Sequence, residues 1–206
     1  MQEWIEFFRR LLDVQAIIEW GGVLGITAIV FVETGLFFGF FLPGDSLLVT
    51  AGIIAGAGVL DIRLLILFAT AAAIIGDQTG YVIGRRAGDA LAVRYVKFRK
   101  HIERAHDFYE KYGAKTIVIA RFVPIVRTFV PAVAGAARMK YRTFVTYNIL
   151  GGIFWVFSTT LLGYSLGRVI PDIDRYLHLV IAIVVFLSLL PGIYEWWKHK
   201  KASALQ

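Results

Sequence analysis

The chain has no cysteine among its 206 residues, which excludes a disulfide framework and a thiolate metal site. Charged residues are scarce at 18%, while 58% of the chain is hydrophobic. A spanning helix needs about 20 consecutive, mostly apolar residues, and several segments reach or approach that. The composition is that of an integral membrane protein, long enough for one helical bundle and not two. The net charge of +7 is carried by basic residues clustered beside apolar segments, which fits the positive-inside rule and not a nucleic-acid partner. Proline is limited to five residues, so its positions carry information.

Two of those prolines fall in Arg121–Gly135, which reads R-F-V-P-I-V-R-T-F-V-P-A-V-A-G. Arg121, Pro124, Arg127 and Pro131 follow one another at spacings of three, three and four within an apolar segment. A charge at bilayer depth costs about 2.5–3.5 kcal/mol even on the lenient insertion scale, so each arginine needs a partner or a wet cavity. Proline removes a backbone donor and clashes with the preceding turn, so the stretch is expected to break as a helix. Broken backbone at that depth is tolerated only where protein buries it or it lines a cavity. Pro124, Pro131 and Gly135 are therefore the expected breakpoints of a functional site.

Residues 1–20 mix Glu3, Glu6, Arg9, Arg10, Asp13 and Glu19 with Trp4, Phe7, Phe8, Leu11 and Leu12. This is the pattern of an amphipathic helix in the interface plane, with no cleavage site of a signal peptide after it. From Gly21 to Leu60 the only charges are Glu33 and Asp45. Forty residues exceed one crossing, and F-L-P-G-D-S at Phe41–Ser46 supplies a break. Pro43-Gly44 forms the turn there, with Asp45 or Ser46 capping the next helix. Residues 21–60 thus form a first helical hairpin.

After Asp61 and Arg63, residues 64–84 form one spanning helix, on which Gly76, Gly80 and Gly84 make a smooth face for close contact. Asp77 lies on a neighbouring face, either carrying protons or bonding to Tyr81 one turn on. Residues 85–115 hold nine Lys/Arg against four acids and read as a cytoplasmic basic loop with a surface helix ending near Gly113. Residues 116–138 are long enough for one crossing, yet both flanks are basic. A second hairpin, re-entrant from the cytoplasmic side, satisfies both facts. Residues 143–167 cross again, with Asn148 and Trp155 in mid-span. Residues 177–197 return to a basic, cytoplasmic C-terminus, and the parity of crossings puts the N-terminus outside.

Ala51-Gly52 and Gly80-Tyr81…Gly84-Arg85 recur at an offset of 83 residues as Ala134-Gly135 and Gly163-Tyr164…Gly167-Arg168. The expected fold is therefore all-α. It is an inverted repeat of two re-entrant hairpins, each followed by a transmembrane helix, with an N-terminal amphipathic helix and a C-terminal transmembrane helix. Hairpins entering from opposite faces bring their tips together, a transporter architecture. Glu33 and Asp45 then face Arg121 and Arg127. Four isolated charges at that depth cost on the order of 10 kcal/mol, so they are expected to compensate one another. The arginines present donor forks suited to phosphate, and Glu33, Asp45 or Asp77 is placed to exchange protons. A structural ion-pair staple is the competing account of the same charges. His101 and His106 lie on different helix faces, so no metal site and no cofactor is expected. No nucleophile sits in an activating context, so an enzyme is not expected.

Together these residues resemble the DedA family of bacterial inner-membrane proteins, which shares its VTT (SNARE-associated) domain with eukaryotic lipid scramblases. The matching stretches are E-T-G-L (33–36), F-L-P-G-D-S-L-L (41–48), G-D (76–77) with Y-x-I-G-R (81–85), F-Y-E-K-Y-G-x-K-T-I (108–117), A-R-F-V-P-I-V-R-T-F-x-P-x-V-A-G (120–135), and M-x-Y-R (139–142) with Y-N (147–148). The resemblance implies a multi-pass protein of the bacterial inner membrane that translocates undecaprenyl phosphate, depends on the proton motive force, and bears on antimicrobial resistance, cell division and alkaline tolerance. The family's functional acids match Glu33 and Asp45, and its functional arginines match Arg121 and Arg127. The alternative activity is a proton-coupled antiporter or exporter of small ions or drugs. Expected partners are the lipid phosphate, membrane lipids and protons; a homodimer is compatible with the sequence, which does not fix the oligomeric state.

Overall fold

The structure, a computed structural model, describes residues 14–36, 44–94 and 96–169. All the regular structure among them is helical: α1 (Val14–Gly35), α2 (Gly44–Gly56), α3 (Ile62–Arg94), α4 (Val96–Tyr112), α5 (Lys115–Ala120), α6 (Pro124–Ala136) and α7 (Tyr141–Val169). Residues 1–13 of the helix expected over 1–20, Pro43, and the third crossing at 177–197 with its C-terminal tail lie outside the described residues.

α1 is two helical pieces joined at Gly22, whose φ of 50° and ψ of −141° are non-helical. The junction falls where the charged segment 1–20 gives way to the apolar one. α2 begins at Gly44, so Asp45 lies in its first turn and is not its cap. Asp61 caps α3, its carboxylate accepting from the backbone N–H of Arg63 at 2.7 Å and of Leu64 at 3.2 Å.

α3 corrects the expected end at Gly84: it runs 33 residues, to Arg94. Gly84 lies inside the helix at a close approach: a side chain there would strike the backbone of Ala132, and Gly88 likewise abuts Ala136. The two glycines make room for α6. At 1.5 Å per residue α3 is about 50 Å long, well beyond the ~30 Å hydrocarbon thickness. Its arginine-rich end therefore projects past the apolar layer. α3 (over Ile62–Ala90) and α7 are the two described helices long and apolar enough to cross a membrane. Their outer faces expose Leu67 and Ile75 on one, and Leu150, Phe154 and Leu162 on the other. Rows of bare apolar side chains fit a lipid surface.

Residues 115–136 divide into six-residue α5 and 13-residue α6 about the turn Arg121–Val123. Pro124 opens α6, and Val123 before it is extended (φ −112°, ψ 105°) as a residue preceding proline prefers. Pro131 and Gly135 do not break the helix, contrary to expectation; both lie inside α6. Pro131 removes only the bond that the carbonyl of Arg127 would accept. Its ring packs on Gly80, where a Cβ would stand 3.4 Å away. Gly135 serves a second close approach, against the backbone of Tyr81 and Arg85 on α3.

Close glycine contacts orient the helices. Gly52 and Gly56 of α2 meet Thr160 and Gly167 of α7 in ascending order, while Gly84 and Gly88 of α3 meet Ala132 and Ala136 of α6. Within each of these two pairs the helices run the same way. α3 and α7 run oppositely, since Tyr141 bonds to Gln78 and Asn148 to Ile74. The shorter helix of each pair thus lies on the long helix of the other half of the chain. The main core is formed where α1, α2, α3 and α7 meet, around Ile26, Val30, Leu47, Leu48, Leu65, Ala69 and Val156.

α6 ends in a Schellman motif: the N–H of Met139 reaches the carbonyl of Ala134, and that of Arg138 the carbonyl of Gly135, each at 3.0 Å. The left-handed position belongs to Arg138, φ 56°, the one non-glycine residue with positive φ among those described. Glycine is usual there, and an L side chain at that φ costs roughly 1 kcal/mol. α4 ends more conventionally at Gly113, φ 77°, as expected.

Candidate functional site

Five helices and the α5–α6 turn place charged or hydrogen-bonding groups in the interior. Glu33 stands near the end of α1, Asp45 at the start of α2, and Asp77 midway along α3. Arg121 closes α5, and Arg127 lies in the first turns of α6. Asn148 and Trp155 lie two turns apart on one face of α7. Glu33, Asp77, Arg121, Arg127 and Asn148 are all buried, with at most 7% of each exposed. Buried charges of this kind persist only when paired.

The pairing differs from the expected one, in which Arg121 and Arg127 together face Glu33 and Asp45. Arg127 alone takes both acids: Nη1 donates to Asp45 Oδ1 at 2.7 Å, and Nη2 donates to Glu33 Oε1. The Trp155 ring lies under the guanidinium, 4.5 Å from its carbon, and Trp155 Nε1–H donates to Asp45 Oδ1 at 2.8 Å. One tryptophan thus holds the cation by its face and the anion by its edge. Gly44 leaves the space for Glu33, since a side chain there would overlap the carboxylate.

Arg121 belongs to a second cluster. Its Nη2 donates to Asp77 and to Asn148 Oδ1, and Asn148 Nδ2 donates to the carbonyl of Ile74 at 3.0 Å. That last bond fixes which way the amide points. Gly151 and Gly152 leave a channel for the side chain: a Cβ on Gly151 would stand 2.9 Å from Arg121 Cδ. Asp77 therefore does not bond to Tyr81. The Tyr81 hydroxyl instead donates to the carbonyl of Met139 at 2.5 Å and accepts from Arg85 at 3.2 Å.

Exposure distinguishes the acids. The Glu33 side chain is 2% exposed and that of Asp77 5%, whereas Asp45 keeps 22%. Asp45 is the carboxylate with access to the outside. Between the two clusters is a cavity of about 10 Å³, lined by Thr34, Asp77, Arg121, Arg127, Thr128 and Trp155. It has room for one water and not for a phosphate. The Nε–H groups of Arg121 and Arg127 are buried without a partner among the described residues, so each guanidinium has an unused donor.

Asn148 and Trp155 are the site residues to which the sequence assigned no role. The signal was present: Asn148, Gly151-Gly152 and Trp155 recur at helical spacing on one face, so a polar group, a gap and an indole point the same way.

These features define a class: a helical membrane protein with two charged clusters gathered in the core of the bundle. The VTT-domain family matches residues 42–165. Over 181 residues the chain is 44% identical to protein DedA of Escherichia coli strain K12, covering 85% of this chain and 82% of that protein. An uncharacterized membrane protein of Mycobacterium tuberculosis is 46% identical over 174 residues, 82% of this chain and 76% of its own. The inner membrane protein YqjA of E. coli K12 is 33% identical over 184 residues, 84% of this chain and 82% of its own. No solved structure matches. The chain belongs to the DedA family and is close to DedA itself.

Proposed function

We propose that this protein carries a lipid phosphate across the bacterial inner membrane, with undecaprenyl phosphate as the cargo the family resemblance implies, and makes and breaks no covalent bond. The observation that carries the reading is the Arg127 fork, held by two internal carboxylates from separate helices while its Nε–H has no partner among the described residues. Glu33 and Asp45 occupy the place of an anion. A phosphate entering the site replaces them on the guanidinium, which presents a planar fork suited to it.

Proton coupling follows from the same competition. Protonating Asp45, the more accessible acid, weakens its hold on Arg127 and frees donors for the phosphate. Deprotonation restores the internal pair and expels the head group. The ~10 Å³ cavity is too small for a phosphate, so a head group enters only as Arg127 parts from its acids. Arg121 enters as an anchor that keeps the α5–α6 corner at depth, and Asp77 as its counterion, not as a second phosphate contact and a third proton carrier.

α2, α5 and α6 are 13, six and 13 residues long, short of the ~20 needed to cross. They act as arms of two re-entrant hairpins, entering from opposite faces as halves of an inverted repeat. The parallel α2–α7 and α3–α6 pairs on antiparallel long helices support that reading. In the same topology the basic ends of α3 and α4 and the C-terminus face the cytoplasm.

Purified protein in liposomes, with labelled undecaprenyl phosphate followed between leaflets, tests the proposal. Flipping should collapse in Arg127→Lys and Asp45→Asn. Wild-type rates in Arg127→Lys would remove the head-group role. Proton exchange for a small cation without lipid movement would establish the antiporter instead.

A further inference from the structure

Outside the buried site, a cavity of about 250 Å³ lies at the basic end of the bundle, its lining including Tyr109, Glu110, Arg138, Met139, Lys140 and Thr143. It lies between the end of α4 and the α6–α7 corner. Its chemistry is unlike the apolar surface nearby. Asp89 Oδ1 occupies one edge of the Arg138 guanidinium, at 2.9 Å from Nη2 and 3.0 Å from Nε. The Nη1 edge has no partner among the described residues. Lys140 is exposed beside it. The half-buried Tyr109 hydroxyl also makes no hydrogen bond among the described residues. Burial pushes it up to about 12, so it remains a neutral donor at any physiological pH.

The backbone supplies an independent observation. Arg138 occupies the left-handed position of the Schellman motif, φ 56°, where glycine is unstrained. An outlier of this kind is a starting point for a functional hypothesis. A large cationic side chain held there at a backbone cost is explained if the cation is needed at the cavity.

We infer that this cavity binds a singly charged phosphate group, with Arg138 and Lys140 supplying charge and Tyr109 and Thr143 neutral donors. Glu110 and Asp89 oppose a second negative charge, so the fit is to a phosphodiester, as in a phospholipid head group, or to monobasic phosphate. A doubly charged lipid phosphomonoester is disfavoured. The Tyr81 bond to the Met139 carbonyl joins the cavity wall to α3 one turn from Asp77, so an occupant would brace the corner of the buried site. The inference stands apart from the transport reading, because it uses neither Arg127 nor its acids.

The test is thermal unfolding of the full chain in neutral detergent, with phosphatidylglycerol, diacylglycerol or inorganic phosphate added. A ligand of the folded state raises Tm. Phosphatidylglycerol or inorganic phosphate should raise it and diacylglycerol should not, and which of the two acts identifies the source. Arg138→Gly relieves the backbone, so its ligand-free Tm should rise while its apparent affinity falls roughly tenfold. A folding defect cannot produce that combination. Lys140→Ala should leave the ligand-free Tm in place and weaken binding similarly. The inference is overturned if neither phosphate compound shifts Tm, if diacylglycerol acts equally, or if both variants respond as wild type.

Discussion

Arg121 and Arg127 lie six residues apart on either side of one turn, equally buried, yet they are bound in different ways. Arg121 is held by one acid and one amide, the amide itself fixed by the Ile74 carbonyl. Arg127 is shared between two acids and rests on an indole, and one of those acids keeps access to the outside. The first arrangement has few alternatives and suits an anchor. The second has several near-equivalent partners and suits exchange.

The largest expected effect tests the anchor. Arg121→Ala strands Asp77 in the core and should cost about 3–5 kcal/mol, read as a large drop in Tm and in yield of folded protein. Arg121→Ala combined with Asp77→Ala should recover most of it. Failure of the second change to rescue the first would show that Arg121 does more than neutralise Asp77.

Next in size is Arg127→Lys, which keeps the charge and loses the fork. Lipid flipping should fall about a hundredfold, near 2.7 kcal/mol, while Tm stays close to wild type. A stability loss as large as that of Arg121→Ala would erase the distinction between the two arginines. Trp155→Phe comes third. It keeps a ring for Arg127 but removes the N–H on Asp45, a cost of about 1.5 kcal/mol. Because it loosens Asp45, the pH dependence of flipping should move, whereas an equally destabilising change at Asn148 should leave that profile in place.

The last comparison concerns the scaffold common to both sites. On α3, a Cβ at Gly84 would collide with Ala132 backbone, whereas one at Gly80 would meet Pro131 at an ordinary 3.4 Å. Gly84→Ala should cost about 1–3 kcal/mol and Gly80→Ala less than about 0.5, compared by thermal melts. Equal costs would mean that α3 and α6 do not pack as described.

Much of this organisation was legible. Buried charge in apolar sequence identified Glu33, Asp45, Arg121 and Arg127, and proline chemistry located the turn before Pro124. The glycine row on α3 and the stop at Gly113 were also readable. Other features were not. Pro131 looks like a break in sequence, yet it loses one bond and gains a packed position on Gly80. Gly84 looks like a helix end beside two arginines, yet it is a contact point within a longer helix. Local signals state what a residue tolerates, and packing decides whether that tolerance becomes a turn or a close approach.

The sequence by itself determined that charged groups had to be gathered inside an apolar helical protein, because lone charges in lipid are too costly to leave unpaired. Only the tertiary structure decided which acid serves which arginine. That choice depends on helix directions and on the gaps left by Gly44, Gly151 and Gly152, distances along a chain cannot encode it, and it divides one set of charges into two separately bound arginines.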